Sequence, residues 1–334
     1  AALPTIHHCL TRGAKVVLLA HRGRPGGKPD PTLSNAILAQ YYERALAQPV
    51  VFYRDIHHVN QDGVVIMLEN LRFFPGEEKN DRRFAKSLAA WGELYCNEAF
   101  ADSHRAHTSI VGLPKIRPHF AGFRFVKEIE QLSLLLGDTE RPYYLVLGGA
   151  KVEDKSPVLI SLITKVNGLI LGGLVAITYL KAMGNPVGKH ETDSKQVKIA
   201  QQVIRTAHEQ GVELLAPVDF INRDKQVKLM TQFDANDLML DIGPQTAKMF
   251  DRALIKANTI FWNGAMGKFE DPAFASGTLA VARSIAKSEA DTRIASGGDT
   301  VSAIHEHKLA KGFTFISTGG GATLEFLAGK ELPG

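Results

Sequence analysis

The chain has 334 residues, a formal net charge of +4, a hydrophobic content of 45% and a charged content of 22%. These values are ordinary for a globular protein, and its basic residues are dispersed among acidic ones, which argues against a nucleic-acid-binding surface. No apolar run could span a bilayer, no signal-peptide pattern opens the chain and its two cysteines give no disulfide framework, so we expect a cytoplasmic protein without membrane or nucleic-acid partners.

Short apolar runs alternate with amphipathic stretches along the whole chain. The amphipathic stretches that we interpret as helices include Asn80–Ala90, Ser194–Gln210 and Gly277–Ser288. Near-continuous apolar strands that alternate with helices are typical of parallel sheets covered on both faces, and such α/β folds bind ligands at the carboxyl ends of their strands. The runs that we interpret as strands are, in chain order, Val16–Ala20, Val64–Leu68, Tyr143–Leu147, Gly168–Leu171, Val212–Pro217, Thr259–Trp262, Arg293–Ala295 and Phe313–Ser317.

A candidate boundary between two domains lies in the stretch from Pro118 to Pro142. Within it, Phe123–Gly137 is predicted to form one long helix that follows a proline-containing loop. A chain of this length is comfortable as two domains. We therefore predict an N-terminal domain over residues 1–122, a helical connection over 123–140 and a C-terminal domain over 141–334.

Two glycine turns near the C-terminus are the most informative motifs. The turns at Gly297-Gly298 and at Gly319–Gly321 each follow an apolar run and precede a helix-like stretch. Such a turn exposes backbone N–H groups at the positive end of a helix dipole, where phosphate binds. In the first turn, Asp299 can hold a divalent cation and Thr300 can donate its hydroxyl to the same phosphate. These turns predict a nucleotide site.

Two further turns support this interpretation. After the strand at Tyr143–Leu147, a Gly-Gly pair precedes Lys151 and Lys155, which are four residues apart and therefore on one helix face. The two lysines can neutralise a nucleotide phosphate and a phosphoryl group in transit, although two solvated lysines are the simpler alternative. After Thr259–Trp262, another glycine turn leads to Glu270, whose carboxylate can accept hydrogen bonds from ribose hydroxyls.

The predicted strand ends of the N-terminal half carry arginines instead. The motifs His21–Pro25, Glu69–Phe73 and His104–His107 each contain at least one arginine. Guanidinium groups match phosphate and carboxylate oxygens with two parallel hydrogen bonds. A single arginine is more often a surface residue, but three that converge from separate loops predict a pocket for a small anionic substrate. His21 is the best candidate for a functional histidine.

Several common nucleotide-binding motifs are missing from the sequence. There is no Gly-x-x-x-x-Gly-Lys-[Ser/Thr] loop, which excludes a P-loop NTPase, and the run His104-Arg105-Ala106 lacks the aspartate of a protein-kinase catalytic loop. There is also no strict Gly-x-Gly-x-x-Gly, which makes a dinucleotide-dependent dehydrogenase a poor alternative.

In their order along the chain, these motifs closely resemble the phosphoglycerate kinase family, and the resemblance runs from Ala1 to Gly334. It implies an α/β fold with two Rossmann-like domains, parallel sheets, a joining helix and an active site in the interdomain cleft. It also implies a glycolytic phosphotransferase that moves a phosphoryl group between 1,3-bisphosphoglycerate and ADP, giving 3-phosphoglycerate and ATP. Mg²⁺ with ATP or ADP is the implied cofactor, and a monomer is the implied assembly.

The resemblance assigns roles to individual residues. In the catalytic set it places Lys151, which approaches the transferring phosphoryl group, with the turn glycines Gly297 and Gly320. It implies that Asp299 lies near magnesium. The implied nucleotide-binding residues are Lys155, Glu270, Gly297, Gly298, Asp299 and Thr300. The implied 3-phosphoglycerate-binding residues are His21, Arg22, Gly23, Arg24, Arg72 and Arg105.

The family pattern also extends beyond the two ends of this sequence. A first strand and a catalytic arginine are expected upstream of residue 1, and a tail is expected beyond Gly334. We therefore expect weak or no catalysis from these 334 residues alone. A catalytically impaired homologue that still binds nucleotide is the alternative. Leu174, where the family usually has glycine, favours that alternative because it lies near the implied adenine pocket.

Overall fold

The computed structural model describes residues 2–57, 59 and 62–334. The chain folds into two compact units, one formed by Ala1–Ile129 with Leu332–Gly334 and the other by Glu130–Glu331. Among the described residues, no helix combines the length and the apolarity that crossing a membrane requires.

The first unit contains short parallel strands and the helices that connect them. β1, β3 and β2 form one parallel sheet in that order, and β4 pairs with β5 in a separate parallel sheet. The last helix, α5, contains the boundary between the units. The elements are α1 Leu3–Thr11, β1 Val16–Leu18, α2 Ala36–Leu46, β2 Val50–Tyr53, β3 Val65–Leu68, α3 Pro75–Glu78, α4 Arg82–Ala89, β4 Tyr95–Asn97, β5 His119–Ala121 and α5 Phe123–Leu134.

The core of the first unit forms around the central strand β3. All four of its residues are buried, as expected for a parallel strand with neighbours on both sides. Helix α4 begins where the Asp81 carboxylate accepts a hydrogen bond from the Phe84 N–H at 2.8 Å, which is an N-cap contact. Phe84 and Leu88, one helical turn apart, pack into the same apolar cluster as Leu68 of β3. This packing fixes the carboxyl end of β3, from which the first candidate site begins.

The second unit contains a larger parallel sheet. Its elements are β6 Tyr143–Leu147, α6 Ser156–Leu162, β7 Gly168–Leu171, α7 Gly173–Ala182, α8 Ser194–Glu209, β8 Glu213–Leu215, β9 Asp219–Ile221, β10 Val227–Leu229, β11 Asp241–Ile242, α9 Pro244–Leu254, β12 Thr259–Asn263, α10 Ser276–Lys287, β13 Thr292–Ser296, α11 Gly298–Glu306, β14 Phe315–Ile316 and α12 Gly321–Leu327.

Six strands of this unit form one sheet in the order β14-β13-β12-β6-β7-β8, and every pair is parallel. Numbered along the chain, this is the order 3-2-1-4-5-6 of a doubly wound dinucleotide-binding fold. The order reverses between β6 and β12, and a crevice for ligands forms at the carboxyl ends of such a pair. β10, β9 and β11 form a separate antiparallel sheet.

The strands beside this reversal are fully buried. All five residues of β6 and all five of β12 are buried, so helices cover both faces of the sheet. Trp262 of β12 has no exposed surface, packs with Phe250 and Ile170, and donates its indole N–H to the Gly264 carbonyl at 2.9 Å. A single side chain therefore anchors both the core and the turn that follows the strand.

The predicted α/β class with parallel sheets is confirmed, and each predicted strand is present with its ends shifted by no more than a few residues. The predicted helix Phe123–Gly137 ends at Leu134, because the N–H groups of Leu135 and Leu136 bond three residues back in tighter turns. The sequence analysis missed β2, β4, β5 and the antiparallel strands β9, β10 and β11.

Candidate functional site

A pocket of about 250 Å³ lies in the second unit where the strand order reverses. Its walls come from the loops after β6, β7 and β12, from Asp299 in the first turn of α11, and from His190 and Met239. Glu270 and Leu174 also line it. Two of the residues predicted to bind nucleotide, Glu270 and Asp299, therefore line the same pocket.

The loops around this pocket meet backbone to backbone. The Gly149 N–H donates to the Ala265 carbonyl at 2.6 Å, and the Gly173 N–H donates to the Met266 carbonyl at 2.9 Å. A Cβ on Gly148 would lie 2.2 Å from the Ala265 carbonyl oxygen. Gly173 has a φ of +55°, and a Cβ there would lie 2.7 Å from the Gly149 nitrogen. Glycine is required at both positions because only its backbone can approach so closely.

Lys155 is a buried ammonium group next to this pocket. Its residue is 7% exposed, at the start of α6, and Nζ donates to the Lys151 carbonyl at 3.4 Å. Burial lowers the pKa of Lys155, whereas the nearby carboxylates of Asp154 and Asp299 raise it. A phosphate oxygen would offer this ammonium a shorter, charge-assisted hydrogen bond. Lys151 itself is exposed.

Helix α11 begins at the glycine turn that follows β13. Gly297 has a φ of +96°, which glycine adopts without strain, and Gly298 and Asp299 are exposed at the start of the helix. Thr300 is fully buried, and its hydroxyl oxygen accepts a hydrogen bond from the Gly264 N–H at 2.7 Å. Thr300 therefore ties α11 to the loop after β12, and its predicted contact with phosphate stays a prediction.

Helix α12 begins in the same way, after the neighbouring strand β14. Gly320 precedes it with a φ of +53°. The hydroxyl of Ser317, before the turn, lies 2.7 Å from that of Thr323 in α12, and the Ser317 oxygen accepts a hydrogen bond from the Gly319 N–H at 3.1 Å. Since β13 and β14 are parallel neighbours, both glycine turns present backbone N–H groups at the same edge of the sheet.

The far wall of the pocket is mostly apolar and includes one histidine. Leu174 is 38% exposed and lines the pocket beside Met239. His190 accepts a hydrogen bond from the Met239 N–H through Nε2 at 2.9 Å, and burial lowers the pKa of His190. An uncharged imidazole between apolar side chains suits a planar apolar group such as a nucleotide base.

The carboxylates at this site fit a metal ion that is shared with phosphate. Among residues 2–57, 59 and 62–334, no three or more His, Cys, Asp or Glu side chains are grouped so that they could hold a metal by themselves. Magnesium usually takes only one or two carboxylates and completes its shell with water and substrate phosphates. The exposed Asp299, beside the N-terminus of α11, fits that requirement.

The first unit contains a separate basic cluster. Arg72, 5% exposed in the turn after β3, lies with its Nη2 3.3 Å from Oδ1 of Asp102, and Arg105 lies with its Nε 3.7 Å from the same oxygen. His21 Nε2 lies 3.4 Å from Oδ2 of Asp102. Burial lowers the pKa of His21, Asp102 raises it, and Arg72, His107 and Arg105 lower it further. The structure thus brings together three of the six residues predicted to bind the acidic substrate.

The other three residues predicted to bind the acidic substrate, Arg22, Gly23 and Arg24, lie in the loop after β1. The Gly23 carbonyl accepts a hydrogen bond from Arg72 Nη1 at 2.8 Å. Arg22 points its guanidinium at the backbone, where Nη1 donates to the Ser34 carbonyl at 2.8 Å. Arg24 is exposed. Arg22 therefore shapes the loop, while Arg24 is accessible to a ligand.

The sequence analysis missed two residues of these sites. Asp102 lies among the basic side chains of the first unit, and His190 lines the pocket of the second. Neither belongs to a motif at a strand end that carries an obvious chemistry. The placement of Asp102 two residues before His104, just outside an arginine motif, was the one available signal.

The family model described as phosphoglycerate kinase matches residues 1–330. The chain belongs to the phosphoglycerate kinase family. It is 42% identical over 347 residues to a phosphoglycerate kinase of Coprothermobacter proteolyticus, with 100% of this chain and 88% of that protein covered.

Solved structures of the family share its fold. The phosphoglycerate kinase from Coxiella burnetii aligns at 37% identity with a TM-score of 0.86, covering 99% of this chain and 88% of the other. The enzyme from Pyrococcus horikoshii OT3 aligns at 32% identity with a TM-score of 0.82 and the same coverage. The resemblance predicted from the motifs, and the two-domain α/β fold that it implied, are confirmed.

Proposed function

We propose that this protein catalyses reversible phosphoryl transfer between 1,3-bisphosphoglycerate and ADP, giving 3-phosphoglycerate and ATP. The observation that carries the proposal is the pocket at the reversal of strand order, which Asp299 at a helix N-terminus and Glu270 both line. Membership of the phosphoglycerate kinase family over residues 1–330 supports the same reaction.

The pocket of the second unit is the proposed nucleotide site. Leu174 and Met239 would contact the base, and Glu270 would accept hydrogen bonds from the ribose hydroxyls. Lys155 would pair with a phosphate, which compensates for its burial. The N–H groups at Gly298 and Thr300 would donate hydrogen bonds to phosphate oxygens at the positive end of the α11 dipole.

We propose that magnesium binds with the nucleotide, through Asp299. When bound, the ion would neutralise phosphate charge, which is the main requirement of phosphoryl transfer. Asp299 is exposed in the first turn of α11, so its carboxylate is accessible to an ion carried by the nucleotide.

The basic cluster of the first unit is the proposed acceptor site. Arg72 and Arg105 supply guanidinium groups that match carboxylate or phosphate oxygens, with His21 beside them. The exposed Arg24 would add a further cation, and the Gly23 carbonyl holds Arg72 in place. A small phospho-acid such as 3-phosphoglycerate carries both kinds of anionic group.

Catalysis of this reaction depends on position and charge. The transferring phosphoryl group passes through a loose transition state, so the protein mainly has to align the reactants and stabilise charge. We assign this role to the exposed Lys151 and to the N–H groups at the Gly297 and Gly320 turns. We further propose that the enzyme is a cytoplasmic monomer, as its family resemblance implies.

A coupled assay of the full-length protein tests the proposal. We expect ATP-dependent phosphorylation of 3-phosphoglycerate that requires Mg²⁺ and stops when the metal is chelated. If no turnover is seen, calorimetry with Mg·ADP and with 3-phosphoglycerate shows whether the protein still binds its ligands. Nucleotide binding without turnover would support the impaired homologue, for which Leu174 in the pocket wall is the specific observation. Binding of neither ligand would contradict both candidates.

A further inference from the structure

Asp102 lies at the centre of the basic cluster in the first unit. It is the last residue of the short helical turn Phe100–Asp102, and its side chain is 14% exposed. Its Oδ1 lies 3.3 Å from Arg72 Nη2 and 3.7 Å from Arg105 Nε, and its Oδ2 lies 3.4 Å from His21 Nε2. One carboxylate therefore faces three of the basic side chains that the proposed acceptor site uses.

The contacts of Asp102 are long for charge-assisted hydrogen bonds, which are usually about 2.7–2.9 Å. Arg72 has a closer partner, because its Nη1 donates to the Gly23 carbonyl at 2.8 Å. Arg105 also has another partner, because its Nε donates to His104 Nε2 at 3.3 Å. Contacts other than Asp102 therefore help to orient both arginines, and its main effect on the site is electrostatic.

That electrostatic effect opposes the binding of an anion. Burial lowers the pKa of His21 and of His107, and Arg72 lowers both further. Asp102 raises both pKa values, but the net shift of each is downward, so the two imidazoles add little positive charge at neutral pH. The positive charge of the cluster is thus mainly that of Arg72 and Arg105, and the negative charge of Asp102 offsets part of it. An incoming phosphate or carboxylate would meet like charge within a few ångströms.

We propose that the Asp102 carboxylate competes with the anionic groups of the phosphoryl acceptor, 3-phosphoglycerate, for the basic cluster. It holds, among His21, Arg72 and Arg105, the place that an anionic group of the substrate would take, and it thereby lowers the affinity for that substrate. The inference rests on the proposed function, since it takes this cluster as the acceptor site. Weaker binding of 3-phosphoglycerate also speeds its release when it is the product.

The test is the variant Asp102→Asn in the full-length protein, titrated with 3-phosphoglycerate by calorimetry at low and at high salt. Removal of one negative charge a few ångströms from the anion should lower the Kd about tenfold at low salt, and salt should reduce this gain. Inorganic phosphate should gain affinity in the same direction. The KM for 3-phosphoglycerate should fall while the affinity for Mg·ADP stays unchanged, a pattern that a merely structural role would not produce.

Glu78→Gln is the matched control. The Glu78 carboxylate lies 3.7 Å from Arg72 Nε, but its side chain is 44% exposed, so its removal should change the Kd by less than about twofold. Equal or weaker anion binding by Asp102→Asn would overturn the inference, with Asp102→Ser as the second neutral variant if the first unfolds. If the wild type binds no 3-phosphoglycerate, the proposed function fails, and the titration with inorganic phosphate still decides the inference.

Discussion

Lys155 illustrates how a buried charge becomes favourable when its ligand is present. Its ammonium group is buried next to Asp154 and Asp299, and burial lowers its pKa. Burial of a charge costs stability, and a hydrogen bond to a phosphate oxygen would offset that cost. The structure therefore predicts opposite effects of this side chain on folding and on binding.

We predict that Lys155→Met weakens the binding of Mg·ADP about 10- to 100-fold, since a hydrogen bond to a charged group is lost. The same change should raise the melting temperature of the free protein. Calorimetry and thermal unfolding measure the two effects. The exposed Lys256, which follows α9, provides the control, because Lys256→Met should change neither value. Unchanged affinity in Lys155→Met would exclude the lysine from the nucleotide site.

Asp241 has a buried carboxylate that titrates near neutral pH. Its Oδ2 accepts hydrogen bonds from the Gly277 N–H at 2.7 Å and the Ser276 hydroxyl at 2.9 Å, at the start of α10. Burial nevertheless raises the pKa of Asp241 to about 6, against the effect of these hydrogen bonds. Between about pH 4 and pH 6, the folded protein keeps a proton that the unfolded chain has already released.

We therefore predict that the ionisation of Asp241 destabilises the folded protein as pH rises. The free energy of unfolding should fall by up to about 3 kcal/mol through this window and level off above it, relative to Asp241→Asn, which has no such proton. Urea unfolding of both proteins at several pH values, followed by circular dichroism, measures the difference. A difference that is constant with pH, or that grows in favour of the wild type as pH rises, would contradict the assignment.

Individual site residues could be predicted only where a local pattern marked them. Glu270 and Asp299 follow glycine turns at strand ends, and the structure places both in the pocket wall. Asp102 and His190 could not be found in this way, because the contacts that place them in a site include residues from distant parts of the chain. His190, for example, bonds to the backbone of Met239, 49 residues away.

At the level of elements, the shape of the pocket depends on two loops whose backbones are in direct contact, with no side chain between them. The loop after β6 passes so close to the loop after β12 that a Cβ on Gly148 would lie 2.2 Å from one carbonyl oxygen, that of Ala265, and 2.8 Å from another, that of Gly264. The backbone angles of Gly148 suit any residue, so its requirement for glycine comes from contact alone.

We predict that Gly148→Ala destabilises the second unit by about 1–3 kcal/mol, because the two loops must separate to admit the methyl group. The binding of Mg·ADP should weaken with it, since these loops form the pocket wall. Gly137→Ala serves as the control, because a Cβ there would meet its nearest atom, the Ser133 carbonyl oxygen, at an ordinary 3.8 Å. If thermal unfolding and nucleotide affinity of Gly148→Ala match those of Gly137→Ala, the close packing is wrong.

Most of the strands that could be predicted contain an apolar run, and several of them are fully buried. β12, with all five residues buried, is an example. β5 has three exposed residues and β10 is only partly covered, so neither carries the apolar run by which a buried strand is found. β2 is different, since Val50–Tyr53 is an apolar run that favours a strand, and the sequence analysis did not use it.

At the level of the whole molecule, the order of the strands was beyond the sequence pattern. Alternating strands and helices fit several orders, and the reversal between β6 and β12 follows only from which strands pair. The reversal explains why turns from separate parts of the second unit form one pocket. The basic cluster belongs to the first unit. We therefore assign the two ligands to different units.

Calorimetric titration of two variants with each ligand tests this assignment most directly. Arg72→Lys removes the forked guanidinium and should weaken 3-phosphoglycerate binding at least about tenfold while the affinity for Mg·ADP stays unchanged. Glu270→Ala should weaken Mg·ADP binding and leave 3-phosphoglycerate binding intact. Loss of the wrong ligand in either variant, or wild-type affinities for both ligands in both, would contradict the account.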